Sequence, residues 1–120
     1  MKRGEIWVAN MNPARGSEVG KIRPSLVIQA DWLIEQGSAN IVVLPLSSQV
    51  NPASSHFRPI VRARGGLRQD SQVLVDQPRT VDRRRFGPAP LARLDAGEMA
   101  RVEAGLQAAL GMRLDVDRNA

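Results

Sequence analysis

The sequence predicts a mainly β domain, a small antiparallel barrel with one helix packed on it at the C-terminal end. Short runs of apolar and β-branched residues recur through the first 75 positions, separated by stretches rich in Gly, Pro, Ser and Asn. Loops rather than crossover helices join most of these runs, which favours antiparallel pairing. Only one long helical pattern is present, at positions 94–111. This helix is therefore expected to cover a sheet formed by the residues before it.

Five segments have the pattern of strands. The first alternates polar and apolar residues. The second contains a continuous apolar run at 26–28 that is suited to burial on both faces. Pro45 is expected to stop the third strand and Pro59 to confine the fourth to a sheet edge, because proline lacks the N–H that a ladder needs. A Gly-Gly turn follows at 65–66. The predicted strands are Glu5–Asn10, Ser25–Ala30, Asn40–Leu44, Phe57–Arg64 and Ser71–Val75.

Two helices are predicted. A short one occupies 31–36, with Asp31 as its cap and Gly37 at its end. The long one opens with Asp95 and Glu98, which have the spacing of a capping box, and Gly111 suits its end. Its apolar stripe at helical spacing consists of Met99, Val102, Leu106 and Leu110.

The composition restricts the class of protein. A chain of 120 residues corresponds to one domain. Its net charge is +5, and the basic residues, 17 in number, are almost all Arg, which is compatible with a nucleic-acid partner because the guanidinium group binds phosphate well. Cysteine is absent, so disulfides and thiolate metal sites are excluded and a cytoplasmic location is the simplest expectation. No apolar run is long enough for a membrane helix, so no membrane partner is expected.

One stretch, at 16–24, joins a Gly-punctuated polar loop to the second apolar run. Pro24 keeps Arg23 extended, because the residue before a proline is disfavoured in the α region. Arg23 is therefore expected at a loop–strand junction, with Glu18 and Lys21 nearby in the same loop. Functional residues concentrate on loops that a rigid scaffold holds in place.

Several short motifs together resemble the MazF/PemK family, the toxins of bacterial toxin–antitoxin pairs. They are Arg-Gly-Glu-Ile-Trp-Val at 3–8, Asn-Pro at 12–13, Gly-Ser-Glu at 16–18, Arg-Pro-Ser-Leu-Val-Ile at 23–28 and Asp-Gln-Pro-Arg-Thr-Val-Asp at 76–82. The resemblance extends to about Gly111, which predicts a toxin domain at 1–111 and a flexible tail at 112–120. It implies an SH3-like barrel that forms a homodimer, and a cognate antitoxin, which the positive charge predicts to be acidic.

The resemblance also implies an activity. The family cuts single-stranded RNA at short sequences and leaves a 2′,3′-cyclic phosphate and a 5′-hydroxyl. An arginine before proline and a hydroxyl residue after the third strand are essential to it. They carry over to Arg23 and to Ser47 or Ser48, of which Ser47 is preferred, and the acidic residue of Gly-Ser-Glu carries over to Glu18.

The residues agree with a reaction that needs no metal and no cofactor. His56 is the single histidine, and the aspartates lack metal-ligand spacing. Arg23 is suited to stabilise charge on the phosphorus, since a fixed guanidinium bonds two phosphoryl oxygens at once. Ser47 would add a neutral hydrogen bond. Glu18 is the candidate for the base or for orienting Arg23, and the residues do not distinguish these roles.

The RNA-binding surface is expected around these groups. Arg83, Arg84 and Arg85 are expected to form one solvated helical turn that attracts phosphate nonspecifically. The residues predicted to bind RNA are Ser17, Gly20, Lys21, Pro24, Ser48, Gln49, Gln77 and Arg79.

Two other functions fit the same resemblance. One is a non-catalytic toxin of this fold that binds and poisons DNA gyrase, and the other is an inactive paralogue that only binds antitoxin. The presence of Arg23 together with a hydroxyl after the third strand favours the enzyme, because a pure binder has no need of them.

Overall fold

The structure is a computed structural model that describes residues 1–17 and 20–112. Glu18 lies outside the described residues, and so does the predicted tail apart from Met112. The strands are β1 Glu5–Asn10, β2 Ile22–Val27, β3 Asn40–Ser47, β4 Ile60–Val61, β5 Ser71–Val73, β6 Arg79–Asp82 and β7 Ala92–Arg93. The helices are α1 Asp31–Glu35 and α2 Ala96–Leu110, with 3₁₀ turns at Pro52–Ser54 and Arg83–Arg85.

All the strands pair antiparallel, as the sequence predicts. Their order is β4-β5-β3-β2-β1-β7, and β6 pairs with β3 on the edge away from β2, where β5 pairs farther along the strand. The two ends of this order approach each other, because the Gly66 N–H in the β4–β5 connection donates to the Leu91 carbonyl just before β7 at 2.8 Å. The sheet therefore curls on itself, and the predicted mainly β fold with a C-terminal helix is confirmed.

Both faces of the curled sheet are buried. One apolar cluster lies between the sheet and α2 and contains Ile6 and Leu26 together with Met99 and Val102 of the helix. A second cluster, which contains Val27, lies on the opposite face. Adjacent residues of β2 thus point into different cores, which explains why the run at 26–28 is apolar without alternation.

Strand β2 begins earlier than the sequence predicts and ends earlier too. It starts at Ile22, opposite Asn10, so that Arg23 lies opposite Ala9 and Pro24 opposite Val8. The expectation of Arg23 at a loop–strand junction is therefore wrong: Arg23 is the second residue of a paired strand. Proline removes one backbone donor, but it leaves the carbonyl and an extended φ that suit a strand.

Strand β3 does not stop at Pro45, contrary to the prediction. It pairs with β6 over Asn40–Val43 and with β5 at Leu46 and Ser47. Pro45 lies where β3 changes from one neighbour to the other, and its carbonyl accepts from Leu74 N at 2.9 Å. A missing N–H is tolerated at this gap between partners. The strand consequently continues to Ser47.

Other predicted boundaries need smaller corrections. Strand β4 is a short edge strand as expected, although it has only two residues. Strand β5 ends at Val73 instead of Val75. Strands β6 and β7 were not predicted, since four and two residues give too little alternation to recognise. In α1, Asp31 is the first helical residue rather than the cap, and its carboxylate accepts from Arg3 N at 2.7 Å.

Helix α2 confirms its prediction closely. Glu98 N donates to Asp95 Oδ1 at 2.7 Å, and Asp95 N donates to Glu98 Oε1 at 3.0 Å, which completes the capping box. Gly111 ends the helix in the left-handed conformation. Gly105 packs so closely that a Cβ there would lie 2.2 Å from the Phe57 carbonyl oxygen. The predicted stripe fails only at Leu110, which is 53% exposed.

Candidate active site

A cleft of about 520 Å³ opens beside the start of β2 and the end of β3. One wall comes from Lys21 and β2, the next from the end of β3 and the residues after it, and the far wall from the connection between β4 and β5. The lining residues are Val8, Lys21, Ile22, Arg23, Pro24, Leu46, Ser47, Ser48, Gln49, Gly66, Leu67, Arg68, Gln69, Ser71 and Leu91. The structure therefore brings together six predicted site residues, which are Arg23, Ser47, Lys21, Pro24, Ser48 and Gln49.

Arg23 is half-buried in this cleft and is held by backbone carbonyls. Its Nε donates to the Gly20 carbonyl at 2.9 Å, and its Nη1 lies 3.4 Å from the Leu46 carbonyl. Burial lowers the pKa of Arg23, although an arginine remains protonated in proteins. Within the described residues no carboxylate pairs with it. Its charge is thus partly desolvated and uncompensated there, as suits a group that binds an anion.

Other arginines contrast with Arg23. Arg58 pairs with Asp76 through two contacts of 2.8 and 2.6 Å. The Asp76 partner raises the pKa of Arg58, and Arg58 in turn lowers the pKa of the carboxyl. A guanidinium whose charge and N–H groups are engaged by a carboxylate binds a phosphate weakly. On the β2–β3 side of the cleft, Arg23 has no carboxylate partner among the described residues, so its guanidinium can bind a phosphate.

Ser47 and Ser48 follow the same carbonyl that holds Arg23. Ser47 is the last residue of β3, half-buried, and its Oγ accepts from Gln49 N at 3.2 Å. Ser48 is exposed and lies outside the strand. The hydroxyl of Ser47 is therefore fixed by the fold, whereas Ser48 has more freedom. This difference agrees with the preference for Ser47 over Ser48.

Lys21 reaches the cleft from a strained position. Its φ is 72°, in the left-handed region that non-glycine residues rarely adopt. Its N–H donates to Asn12 Oδ1 at 2.8 Å, and its carbonyl accepts from Met11 N at 2.9 Å. The strain at Lys21 is thus held by the segment after β1, and such strain is common at functional sites.

The described lining residues include no carboxylate and no imidazole. Glu18, the candidate base, belongs to the two internal residues that the structure does not describe. His56 lies elsewhere, in a smaller cavity that it shares with Arg101. No group of three or more potential metal ligands occurs within residues 1–17 and 20–112.

Four residues predicted to bind RNA do not line the cleft: Ser17, Gly20, Gln77 and Arg79. Gly20 acts through its carbonyl, which holds Arg23. A Cβ at Gly20 would lie 2.8 Å from Ala14 Cβ, so the close approach requires glycine. Arg79 Nη1 donates to the Met11 carbonyl at 2.8 Å and so supports the segment that also holds Lys21. A direct role for these four in RNA binding stays a prediction.

The three consecutive arginines form the predicted solvated face only in part, because Arg84 and Arg85 are exposed and Arg83 is not. Arg83 is half-buried, and its guanidinium donates to the carbonyls of Ile34, at 2.6 Å, and Ser38. Arg85 donates to the Asn12 carbonyl at 2.6 Å. The acceptors are thus carbonyls at the end of α1, just after it and in the first loop. The single helical turn itself is confirmed as the 3₁₀ turn.

Arg84 is exposed, as is Arg85, and Arg84 pairs with Asp82. Its Nε and Nη2 each lie 3.0 Å from an Asp82 carboxylate oxygen. Bonds from the Arg84 side chain and backbone lower the pKa of Asp82 to about 2. The charge of Arg84 is therefore shared with a neighbouring carboxylate and is weakly available for phosphate.

Sequence reasoning missed the far wall of the cleft. Arg68, Gln69 and Ser71 reach it from the connection between β4 and β5. The Gly-Gly pair at 65–66 gave a signal for the turn, but no local pattern shows that this turn meets Leu91 beside β1 and β7. The placement depends on curling of the whole sheet.

Comparison with known proteins identifies the family. A family model described as PemK-like, MazF-like toxin of type II toxin–antitoxin systems matches residues 2–110. The chain belongs to this family. The family resemblance recognised in the motifs is thereby confirmed, and the match spans almost all of the predicted toxin domain.

Individual relatives agree with this assignment. The chain is 34% identical over 113 residues to endoribonuclease EndoA of Bacillus subtilis, and the alignment covers 93% of this chain and 96% of that protein. The crystal structure of MazF from Deinococcus radiodurans matches with a TM-score of 0.75 at 27% identity, over 93% of this chain and 97% of that one. A MazE–MazF structure from the same organism matches with a TM-score of 0.72 at 26% identity, over 94% and 97%.

Proposed function

We propose that this chain is the endoribonuclease toxin of a toxin–antitoxin pair and that it cleaves single-stranded RNA in the cleft between Arg23 and the β4–β5 connection. The observation that carries this proposal is the Arg23 guanidinium, half-buried and bonded to backbone carbonyls in a cleft that also contains Ser47. The likeness to an endoribonuclease over 93% of the chain supports the same activity.

The reaction is an internal transfer at the phosphorus. The ribose 2′-oxygen attacks the adjacent phosphorus, its proton goes to a base, and the bond to the 5′-oxygen breaks as that oxygen gains a proton. The products are a 2′,3′-cyclic phosphate and a 5′-hydroxyl, with no change of oxidation state. Negative charge grows on the phosphoryl oxygens in the transition state, where a preorganised donor has its largest effect.

Each residue has a role that follows from its position. The free N–H groups of Arg23 bind the phosphoryl oxygens, and the Ser47 hydroxyl donates to one of them. Lys21 adds positive charge at the edge of the cleft. Glu18 belongs to the same loop as Gly20, whose carbonyl holds Arg23, and it serves as the base or orients the guanidinium. The reaction uses no metal and no cofactor.

The partners follow from charge and exposed apolar surface. An acidic antitoxin would complement the net charge of +5, and the Deinococcus radiodurans relative is seen as a MazE–MazF structure. A second copy of the chain would cover apolar side chains such as Trp32, which is 61% exposed. No helix in the described part of the chain is long and apolar enough to cross a membrane. We place the protein in the cytoplasm, where mRNA is available.

A single experiment tests the activity. The purified protein is incubated with a mixed RNA pool in the presence of EDTA, and both ends of each cut are mapped. We expect cuts at a short sequence that leave a cyclic phosphate and a 5′-hydroxyl. Cleavage that disappears in EDTA and returns with Mg²⁺ would contradict the metal-independent mechanism. Absence of cleavage in every condition, with antitoxin binding intact, would favour an inactive paralogue.

A further inference from the structure

The connection between β4 and β5, residues 62–70, is held more firmly than most surface turns. Arg64 forms a two-bond ion pair with Glu98 of α2, with contacts of 2.6 and 2.5 Å. Asp70 Oδ1 accepts from Ala63 N at 2.8 Å, which ties the two sides of the turn together. The Gly66 N–H donates to the Leu91 carbonyl. The turn is thus fixed to the helix, to itself and to the segment before β7.

This fixed turn presents two side chains that have no partner among the described residues. Arg68 and Gln69 are both exposed and both line the cleft. Neither side chain forms a hydrogen bond or ion pair with the described residues of the chain. Arg64 four residues earlier is fully paired by contrast. A rigid turn that carries an unpaired guanidinium and an unpaired amide into a cleft has the features of a binding element.

The chemistry of the two walls is complementary. The β2–β3 wall supplies Arg23 and Ser47, which act on one phosphate. RNA that occupies the cleft extends beyond that phosphate, and Arg68 is the charged residue that lines the cleft on the wall opposite Arg23 and Lys21. Gln69 carries both a donor and an acceptor, which is what reading the edge of an unpaired base requires.

We propose that the β4–β5 connection is the specificity wall of the RNA site, in which Arg68 binds a phosphate that flanks the scissile one and Gln69 hydrogen-bonds the edge of a neighbouring base. This inference rests on the proposed ribonuclease function. It adds an RNA-contacting element far in sequence from Arg23 and Ser47. Both residues bind RNA and neither touches the reacting atoms.

The test for Arg68 compares two arginines of the same turn. Arg62 is exposed but does not line the cleft, so Arg62→Ala is the matched control for Arg68→Ala. Affinity is measured on a single-stranded RNA pool that is 2′-O-methylated throughout and therefore uncleavable, over a series of salt concentrations. We expect Arg68→Ala to weaken binding about tenfold, as for loss of a hydrogen bond to a charged group. The slope of the logarithm of the binding constant against the logarithm of the salt concentration should fall in magnitude by about 0.7, the value for one phosphate on a single strand.

The test for Gln69 is a map of cut sites. Gln36 is exposed at the end of α1 and does not line the cleft, so Gln36→Ala is the control. We expect Gln69→Ala to lose about tenfold discrimination at one position of the cut sequence, while single-turnover cleavage at saturating RNA changes less than about threefold. Gln36→Ala should leave the map unchanged.

The outcomes separate the two proposals. If the wild-type protein cleaves RNA and Arg68→Ala binds like Arg62→Ala, the specificity wall is wrong and the ribonuclease function stands. If the wild-type protein cleaves no RNA, the ribonuclease function fails, and the binding comparison on uncleavable RNA still decides the role of Arg68. An unchanged cut map for Gln69→Ala would overturn base reading by Gln69.

Discussion

Gln72 lies directly opposite Ser47 in the β3–β5 ladder and is 1% exposed. Its Oε1 accepts from Asn51 N at 2.9 Å, and its Nε2 lies within 3.1 Å of the carbonyls of Asn51 and Arg58 and of Ser54 Oγ. One buried amide thus holds the segment that begins at Ser47.

Replacement of Gln72 by Leu should destabilise the protein. The change removes the acceptor of the Asn51 N–H and the donor to the Arg58 carbonyl, both in part-buried bonds, and a buried polar group that loses its partner costs about 1–3 kcal/mol. We therefore expect the free energy of unfolding to fall by at least about 2 kcal/mol, measured by urea denaturation. Gln36→Leu, at an exposed position, should change it by less than about 0.5 kcal/mol. Equal stability of the two variants would show that the Gln72 bonds have no net effect.

Arg23→Ala should reduce single-turnover cleavage by at least about 10²-fold, the scale for loss of one preorganised charge-stabilising donor. RNA affinity should change much less, because other basic residues bind the backbone. Arg23→Lys should restore little of the rate, since a point charge does not reproduce the two-bond fork. Melting temperatures are measured alongside. A normally melting Arg23→Ala variant that cleaves at nearly the wild-type rate would remove Arg23 from the mechanism.

The two serines after the third strand give a paired test. Ser47→Ala removes a hydroxyl that the fold fixes through Gln49 N, whereas Ser48→Ala removes one that is exposed. We expect Ser47→Ala to slow cleavage about tenfold or more, yet less than Arg23→Ala, because it removes a neutral hydrogen bond. Ser48→Ala should stay within about threefold of wild type. A larger effect at Ser48 would reverse the assignment.

The sequence predicts those parts of the fold whose signals are local. The capping box of Asp95 and Glu98 and the glycine at 111 locate α2 correctly, because each acts within one turn of the chain. Arg23 and Pro45 show the limit. Both were assigned to strand ends on local grounds, and both lie inside strands. Arg23 pairs with β1, and Pro45 lies between the residues of β3 that pair with β6 and those that pair with β5.

The same distinction applies to the site. Arg23 and Ser47 were found because they belong to short motifs, and the structure brings them to one cleft. Arg68 and Gln69 were missed, because their place beside Arg23 depends on the closure of the sheet through Gly66 and Leu91. Contacts between residues this far apart in sequence are set by the tertiary fold and leave no local pattern.

The ion pair that anchors the β4–β5 connection should make stability depend on pH. The Arg64 side chain hydrogen-bonds Glu98 and lowers the pKa of that carboxyl below its ordinary value of 4.5. A carboxyl whose pKa is depressed in the folded protein stabilises the fold above its unfolded pKa. This stabilisation is lost as the pH falls through the folded pKa. Acid should therefore weaken the anchor of the turn.

Glu98→Gln isolates this charge, because glutamine at the same position still completes the capping box with Asp95. We expect the variant to melt below wild type at pH 7, and the difference to shrink as the pH falls below 4.5, the ordinary pKa of the carboxyl, and on through its lower pKa in the folded protein. Thermal melting at a series of pH values from 7 to 2 measures the difference. Glu103→Gln is the control, since Glu103 is more exposed, 47% against 12% for Glu98, and its contact to Arg3 is longer, at 3.4 Å. A difference between Glu98→Gln and wild type that stays constant across the series would contradict stabilisation by the Arg64–Glu98 pair.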